Sequence, residues 1–185
     1  MRRYRWSPCL VSLGLACLLV TALAPGARAV TVGVSPADTI MACEDTIVVR
    51  VASADVFPDL KAYQLMFHYD SSILRYLGAE AGDVLTGTGQ PFVVEELNDV
   101  APPPDTVWVD CAQLVGSTSC PGVLIYFKFK AIAAGDCPIT CLTVDFRDSW
   151  NVQTIPDCVG GVVHVTTCPT PARAVTWGSL KTLYR

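Results

Sequence analysis

The stretch "LKAYQLMFHYD", Leu60 to Asp70, decides the fold. Its side chains alternate: Tyr63, Leu65, Phe67 and Tyr69 fall on one side of an extended chain, and Gln64, Met66, His68 and Asp70 on the other. An apolar side facing a polar side at a period of two predicts a strand with one face in a core and one in water. His68, Asp70 and the following Ser71 also supply the residue types of a hydrolase triad. A triad needs its base within hydrogen-bond reach of both nucleophile and orienting acid, a geometry that neighbours along a strand and turn do not reach. No Gly-x-Ser-x-Gly elbow surrounds Ser71. Asp70-Ser71-Ser72 instead reads as a turn whose side chains cap their own backbone.

Working outward, the same signal recurs. "VTVGVSP" (30–36), "DTIVVRVAS" (45–53), Leu60–Tyr69, "ILRYLGAE" (73–80), "PFVVEEL" (91–97), "DTVWVDCAQL" (105–114), "GVLIYFKFKAIAA" (122–134), "ITCLTVDF" (139–146) and "GGVVHVTT" (160–167) are rich in β-branched and aromatic residues. Turn formers separate them at short intervals, and only "AEAGDVLTG" reads as a helical turn. Many short strands without alternating helices predict an all-β antiparallel sandwich or barrel. Two segments read as longer loops: "NDVAPPPDT" (98–106), whose prolines cannot donate to a ladder, and "CAQLVGSTSCPG" (111–122).

The chain begins with a basic stretch, an apolar run from Cys9 to Ala24 and Ala27-Arg28-Ala29, the layout of a secretory signal peptide over residues 1–29. The apolar run is shorter than the ~20 residues a membrane-spanning helix needs, so no span is expected after cleavage. The domain then covers residues 30–168 and a Pro-containing linker with a short amphipathic tail covers 169–185. That tail sets Trp177, Leu180, Leu183 and Tyr184 at helical spacing, as a docked helix, a frayed end or an attachment signal. Losing Arg2, Arg3, Arg5 and Arg28 leaves nine basic against 17 acidic residues, a formal charge of −8. An acidic chain without a basic patch argues against nucleic-acid binding.

Seven cysteines remain beyond the leader: Cys43, Cys111, Cys120, Cys137, Cys141, Cys158 and Cys168. In an exported protein they read as disulfides with one thiol over. Bridging Cys111 to Cys120 would close the 111–122 loop, and Cys137-x-x-x-Cys141 has zinc-ligand spacing but no second pair beside it. Glu95 and Glu96 lie on opposite strand faces, so they do not form a glycosidase pair together, although either could pair with Asp110 across strands. His164 alternates against Val163 and Val165 as an ordinary strand residue. Asp55 and Asp59 flank "VFP" in a loop without a calcium-loop pattern, so no metal or cofactor is expected. Trp108, on a strand with Asp110, reads as a core or rim aromatic or as a docking platform.

The order of segments resembles a cohesin domain, the module of cellulosome scaffolds that binds enzyme-borne dockerins. "SPADTI" and "DTIVVRV", then "LKAYQLMFHYDSSILRYLGAEAGDVL", then "GVLIYFKFKA" and a closing "GGVVHV" carry the likeness, from about Val30 to Thr167. The resemblance implies a nine-stranded antiparallel jelly-roll sandwich without catalysis. It implies a partner face on the sheet containing Leu60–Tyr69, Pro91–Leu97, Asp105–Leu114 and Ile139–Phe146, with Gln64, Met66, His68, Asp70, Glu95, Trp108 and Asp110 as binding residues. It also implies that Cys43 meets Cys168, because the first and last strands would run parallel. Cys158 and Cys168, ten strand residues apart, would be ~30 Å from each other, which leaves Cys137, Cys141 and Cys158 to share one bridge. The expected protein is secreted, extracellular or on the cell surface, and binds a dockerin-bearing partner. The alternatives are a carbohydrate-binding module that stacks polysaccharide on Tyr63, Trp108, Tyr126 and Trp150, and a structural surface protein.

Overall fold

Leu60–Tyr69 forms part of the longest strand of the molecule, β3 (Thr46–His68), which belongs to both layers of a β-sandwich. This computed structural model describes residues 29–97 and 105–168. Residues 1–28 of the expected leader, most of the proline crossing and the 169–185 tail lie outside the described residues.

The first half of β3 pairs with β1 (Thr31–Ser35) and β7 (Thr118–Ala131), and β7 pairs with β4 (Leu74–Ala81). The second half pairs with β6 (Thr106–Gln113) and β8 (Gly135–Asp148); β6 carries β5 (Phe92–Glu96), and β8 carries β9 (Gln153–Thr154). β10 (Asp157–Val159) runs parallel to β1, and β2 (Asp38–Met41) parallel to β11 (Gly161–Val165), which is antiparallel to β8. Eleven strands therefore stand among the described residues, against nine segments expected. The short β2, β9 and β10 were not among those segments, and two expected strands are the halves of β3.

The join in β3 corrects one reading. Residues 54–59, expected as a loop, continue the strand through register shifts against β7 at Ser53/Phe57 and Phe57/Leu60. Such bulges bend a strand enough for it to serve two sheets. Asp55 accepts the Thr31 backbone N–H at 2.8 Å, so its carboxylate anchors β1.

Both inner faces alternate as the sequence requires. Leu65, Phe67, Val109, Phe127, Phe129, Ile139 and Phe146 are fully enclosed, each contributing about 1.5–3 kcal/mol of transfer free energy. Phe67 meets Phe127 at 5.8 Å and Tyr69 meets Phe129 at 5.1 Å between ring centroids, joining the two layers. Tyr63 spans the core and donates its hydroxyl to the Leu124 carbonyl at 2.6 Å. The expected helical turn is α1 (Asp83–Thr86), docked on β7 by the Asp83 carboxylate, which accepts the Val123 N–H. Gly82 permits that approach: a Cβ there would sit 2.0 Å from the Val123 carbonyl oxygen.

Two disulfides close the structure, Cys43 to Cys168 and Cys141 to Cys158. Cys111, Cys120 and Cys137 are buried free thiols, which corrects the expected Cys111–Cys120 bridge. Their register partners on β3 are Tyr63 and Phe57, set apart along the strand, whereas a bridge needs Cα atoms within about 6.8 Å. The expected loop is also shorter, because β7 begins at Thr118. The zinc spacing is dismantled too, since Cys141 is bridged and Cys137 receives the Asp70 backbone N–H at 3.2 Å.

Candidate functional site

The outer face of β5, β6, the second half of β3 and β8 collects most of the residues singled out from sequence. Register places Glu95, Asp110, Gln64 and Asp145 in one row across the four strands. A second row sets Trp108, Met66 and Thr143 side by side, and a third runs Val93, Ala112, Ala62, Arg147 and Gln153. The row order follows from strand alternation, because every second residue of each strand leaves the core.

Polar contacts hold this surface in one arrangement. Asp110 Oδ1 accepts the Gln64 side-chain amide at 2.9 Å and the Trp108 indole N–H at 3.1 Å. Asp145 Oδ2 accepts Arg147 Nε at 3.2 Å and Nη2 at 2.9 Å, together with Gln153 Nε2 at 2.9 Å. Small side chains at Ala62 and Ala112 leave a shallow depression of about 350 Å³, walled by Val93, Glu95, Asp110, Asp145 and Arg147. Such a face offers three carboxylates in line, one guanidinium, and apolar contact from Met66, Trp108 and Val93.

Gln64, Met66, His68, Glu95, Trp108 and Asp110 thus share the face, with His68 exposed opposite Thr106 and Thr140 at its end. Asp70 stands apart in the turn after β3. Its carboxylate accepts the Ser72 N–H at 2.8 Å and the Ser72 hydroxyl, and its carbonyl accepts the Ile73 and Leu74 N–H groups. Hydrogen bonding from Ser72 holds the Asp70 carboxyl below the usual carboxylate range. That carboxylate is spent on the turn. Glu96 leaves the face on the other side, where it accepts the Tyr76 hydroxyl at 2.8 Å and the Ala79 N–H at 3.0 Å and ties β5 to β4.

Asp145 and Arg147 were missed from sequence. The register of β8 shifts at Leu142, where Cys141 faces Phe67 and Thr143 faces Met66. One extra residue reverses which parity points outward, so "ITCLTVDF" read at a strict period of two does not place Asp145 reliably.

A sugar-stacking platform does not form from the four expected aromatics. Tyr63 is 2% exposed in the core, Tyr126 lies on β7 in the opposite layer, and Trp150 stands in the turn between β8 and β9, leaving Trp108 on the face. Among the described residues no group of three or more His, Cys, Asp and Glu side chains could hold a metal ion. No described helix is long and apolar enough to cross a membrane.

This architecture matches solved structures. A cohesin of scaffoldin B from Acetivibrio cellulolyticus, solved with a Cel5 dockerin, aligns over 75% of this chain and 98% of its own at TM-score 0.58 and 16% identity. The cohesin module of a family 33 glycoside hydrolase from Clostridium perfringens aligns over 76% and 98% at TM-score 0.62 and 9% identity. A non-cellulosomal cohesin from Archaeoglobus fulgidus aligns over 75% and 91% at TM-score 0.56 and 13% identity. The fold is that of a cohesin domain. No protein-family model and no curated protein matches the sequence. In the cohesin fold of this chain the four-stranded face lies on the layer that the sequence resemblance marks for partner binding.

Proposed function

We propose that the protein is a secreted, non-catalytic binding module that docks a dockerin-type protein partner on the outer face of β5, β6, β3 and β8, within an extracellular polysaccharide-degrading assembly. The observation that carries this is the face itself: an ordered row of Glu95, Asp110, Gln64 and Asp145 bordered by Met66, Trp108 and Val93. Flat strand surfaces with prearranged polar groups and a few apolar anchors suit protein recognition. Cohesins solved in complex with dockerins share the fold, which supports the partner class. Two disulfides favour an oxidising compartment. The Asp70-Ser71-Ser72 turn supports the non-catalytic reading, because Ser72, next to it in the turn, engages the acid.

The test is a pull-down with the mature chain, Val30 to Arg185, from the secreted fraction of its own organism, with and without calcium chelator, beside an insoluble-cellulose assay. Capture of a dockerin-bearing protein that chelation abolishes is the expected result. Retention on cellulose with no protein captured would overturn it.

A further inference from the structure

One end of the docking layer carries a crown of apolar side chains held out in water. Leu114 and Val115 follow β6, and Trp150 and Val152 occupy the turn between β8 and β9. Their exposures are 60%, 55%, 84% and 58%. Isolated exposed apolar residues need no explanation, whereas a contiguous group at one site marks an interaction surface.

The loops that present these residues are fixed. Asp59 receives the Ser149 hydroxyl and a side-chain hydrogen bond from Ser117, so the 114–117 and 149–152 loops meet on one carboxylate, which these bonds hold below its usual range. Asp148 Oδ1 accepts the N–H groups of Trp150 at 2.9 Å and Val152 at 2.8 Å. Lys61 donates to the Gly116 carbonyl at 2.6 Å, and the Leu114 N–H donates to the Pro91 carbonyl at 2.9 Å, joining the crown to β5. A tryptophan presented by a prearranged turn loses little conformational freedom on binding, the condition under which an aromatic becomes a dominant anchor.

The crown is continuous with the docking face. Between the acidic row and this end lies the row of Val93, Ala112, Ala62 and Arg147, whose two alanines floor the depression. We propose that the protein partner seated on the acidic row extends over this alanine floor and packs its own apolar side chains on Trp150, Val152, Leu114 and Val115. The proposal rests on the docking reading above. The strongly acidic mature chain disfavours an anionic lipid surface as the occupant.

The experiment places the photo-crosslinker p-benzoylphenylalanine at position 150, at position 66 on the face, or at position 128 on the opposite layer, in the mature chain exposed to its organism's secreted fraction. Mass spectrometry then identifies the adducts. The same protein captured from 150 and 66 but not from 128 is expected, with Trp150→Ala weakening its binding by about tenfold or more and leaving the melting temperature unchanged. An adduct from 66 with none from 150 overturns the crown while the docking face stands. An adduct from 150 with none from 66 overturns the docking face, and none from either overturns both. A second copy of this chain as the adduct at 150, or unaltered binding by Trp150→Ala, also overturns the crown.

Discussion

The outer face of β4, β7 and the first half of β3 and that of β5, β6, the second half of β3 and β8 share one strand and dispose of charge differently. On the first, Lys128 pairs with Glu80, Lys130 with Glu44 at 2.5 Å, and Arg50 donates to Ser35. Hydrogen bonding to Lys130 holds the Glu44 carboxyl below its usual range. Both lysines of β7 are matched there by acids. On the second, Glu95, Asp110 and Asp145 stand in a row with Arg147 as the cation beside them, and among the described residues Asp110 accepts from two neutral donors, Gln64 and Trp108. A lysine matched in this way leaves little charge to offer, while an acid held by neutral donors, as Asp110 is, keeps its negative charge, which under the docking proposal is what a partner meets.

If the faces divide the labour this way, stability and binding are separable, and the largest effects belong to stability. Cys43→Ser with Cys168→Ser opens a bridge spanning 125 residues, whereas Cys141→Ser with Cys158→Ser opens one spanning 17. Loop-closure entropy gives roughly 4.9 kcal/mol for the first and about 3 kcal/mol for the second. Urea unfolding of the two double variants should show that order, with partner affinity of the folded first variant unchanged. Equal losses would mean that native-state contacts, rather than the unfolded chain, set the contribution of each bridge.

The next effect is on binding. Asp110→Arg reverses the charge at the middle of the acidic row and removes the acceptor of Gln64 and Trp108, so affinity for the captured partner should fall about a hundredfold. Lys128→Glu on the other face should leave it within about twofold. Isothermal titration of both variants decides the matter; comparable losses from the two would end the distinction between the faces.

The face proposed for docking was legible where its strand is regular and lost where it is not. Tyr63, Leu65 and Phe67 turn inward and Gln64, Met66 and His68 outward as a period of two dictates. Asp145 and Arg147 escaped because the bulge at Leu142 is a pairing event, visible only once β8 lies on β3. β2 and β10 escaped because each is short and pairs in parallel with a strand far along the chain, leaving little local periodicity. Residues 54–59 resembled a loop because Pro58 and two aspartates are turn signals; packing on β7 overrides them, with Asp59 adopting a φ of 60°. The cysteine pattern misled for a related reason: spacing along the chain suggested Cys111–Cys120, whereas register decides which sulfurs meet.

The free thiols give a smaller effect that tests the register directly. Burial pushes the Cys111 thiol up to about 12 and Cys120 up to about 11, and raises Cys137 as well. Since the thiolate is the reactive form, the native mature chain should be silent to Ellman's reagent at pH 8 and should release three thiols in denaturant. One thiol in denaturant would mean that Cys111 and Cys120 are bridged, and that the offset along β3 is absent.

The smallest effect lies at the seam where β2 and β8 flank β11, away from both faces. His164 Nδ1 is 2.7 Å from Asp136 and Nε2 is 3.2 Å from Asp38, so one imidazole links three strands. Hydrogen bonding to Asp136, followed by the charges of Asp136 and Asp38, raises its affinity for a proton above the ordinary histidine value. In the unfolded chain that value returns to ~6.5, so the folded state binds the proton more tightly. The resulting stabilisation is fully present below ~6.5 and is lost as pH rises through the raised folded value. All three side chains are open to solvent, which keeps the effect small and salt-sensitive. Proton NMR titration should find the His164 midpoint above that of a free histidine and lowered by Asp38→Asn or Asp136→Asn. The melting-temperature difference between wild type and His164→Gln should shrink from pH 5.5 to pH 8.5. If that difference stays constant with pH, protonation of His164 contributes nothing to holding β2, and the parallel β2–β11 pairing rests on its backbone ladder and the adjacent Cys43–Cys168 bridge.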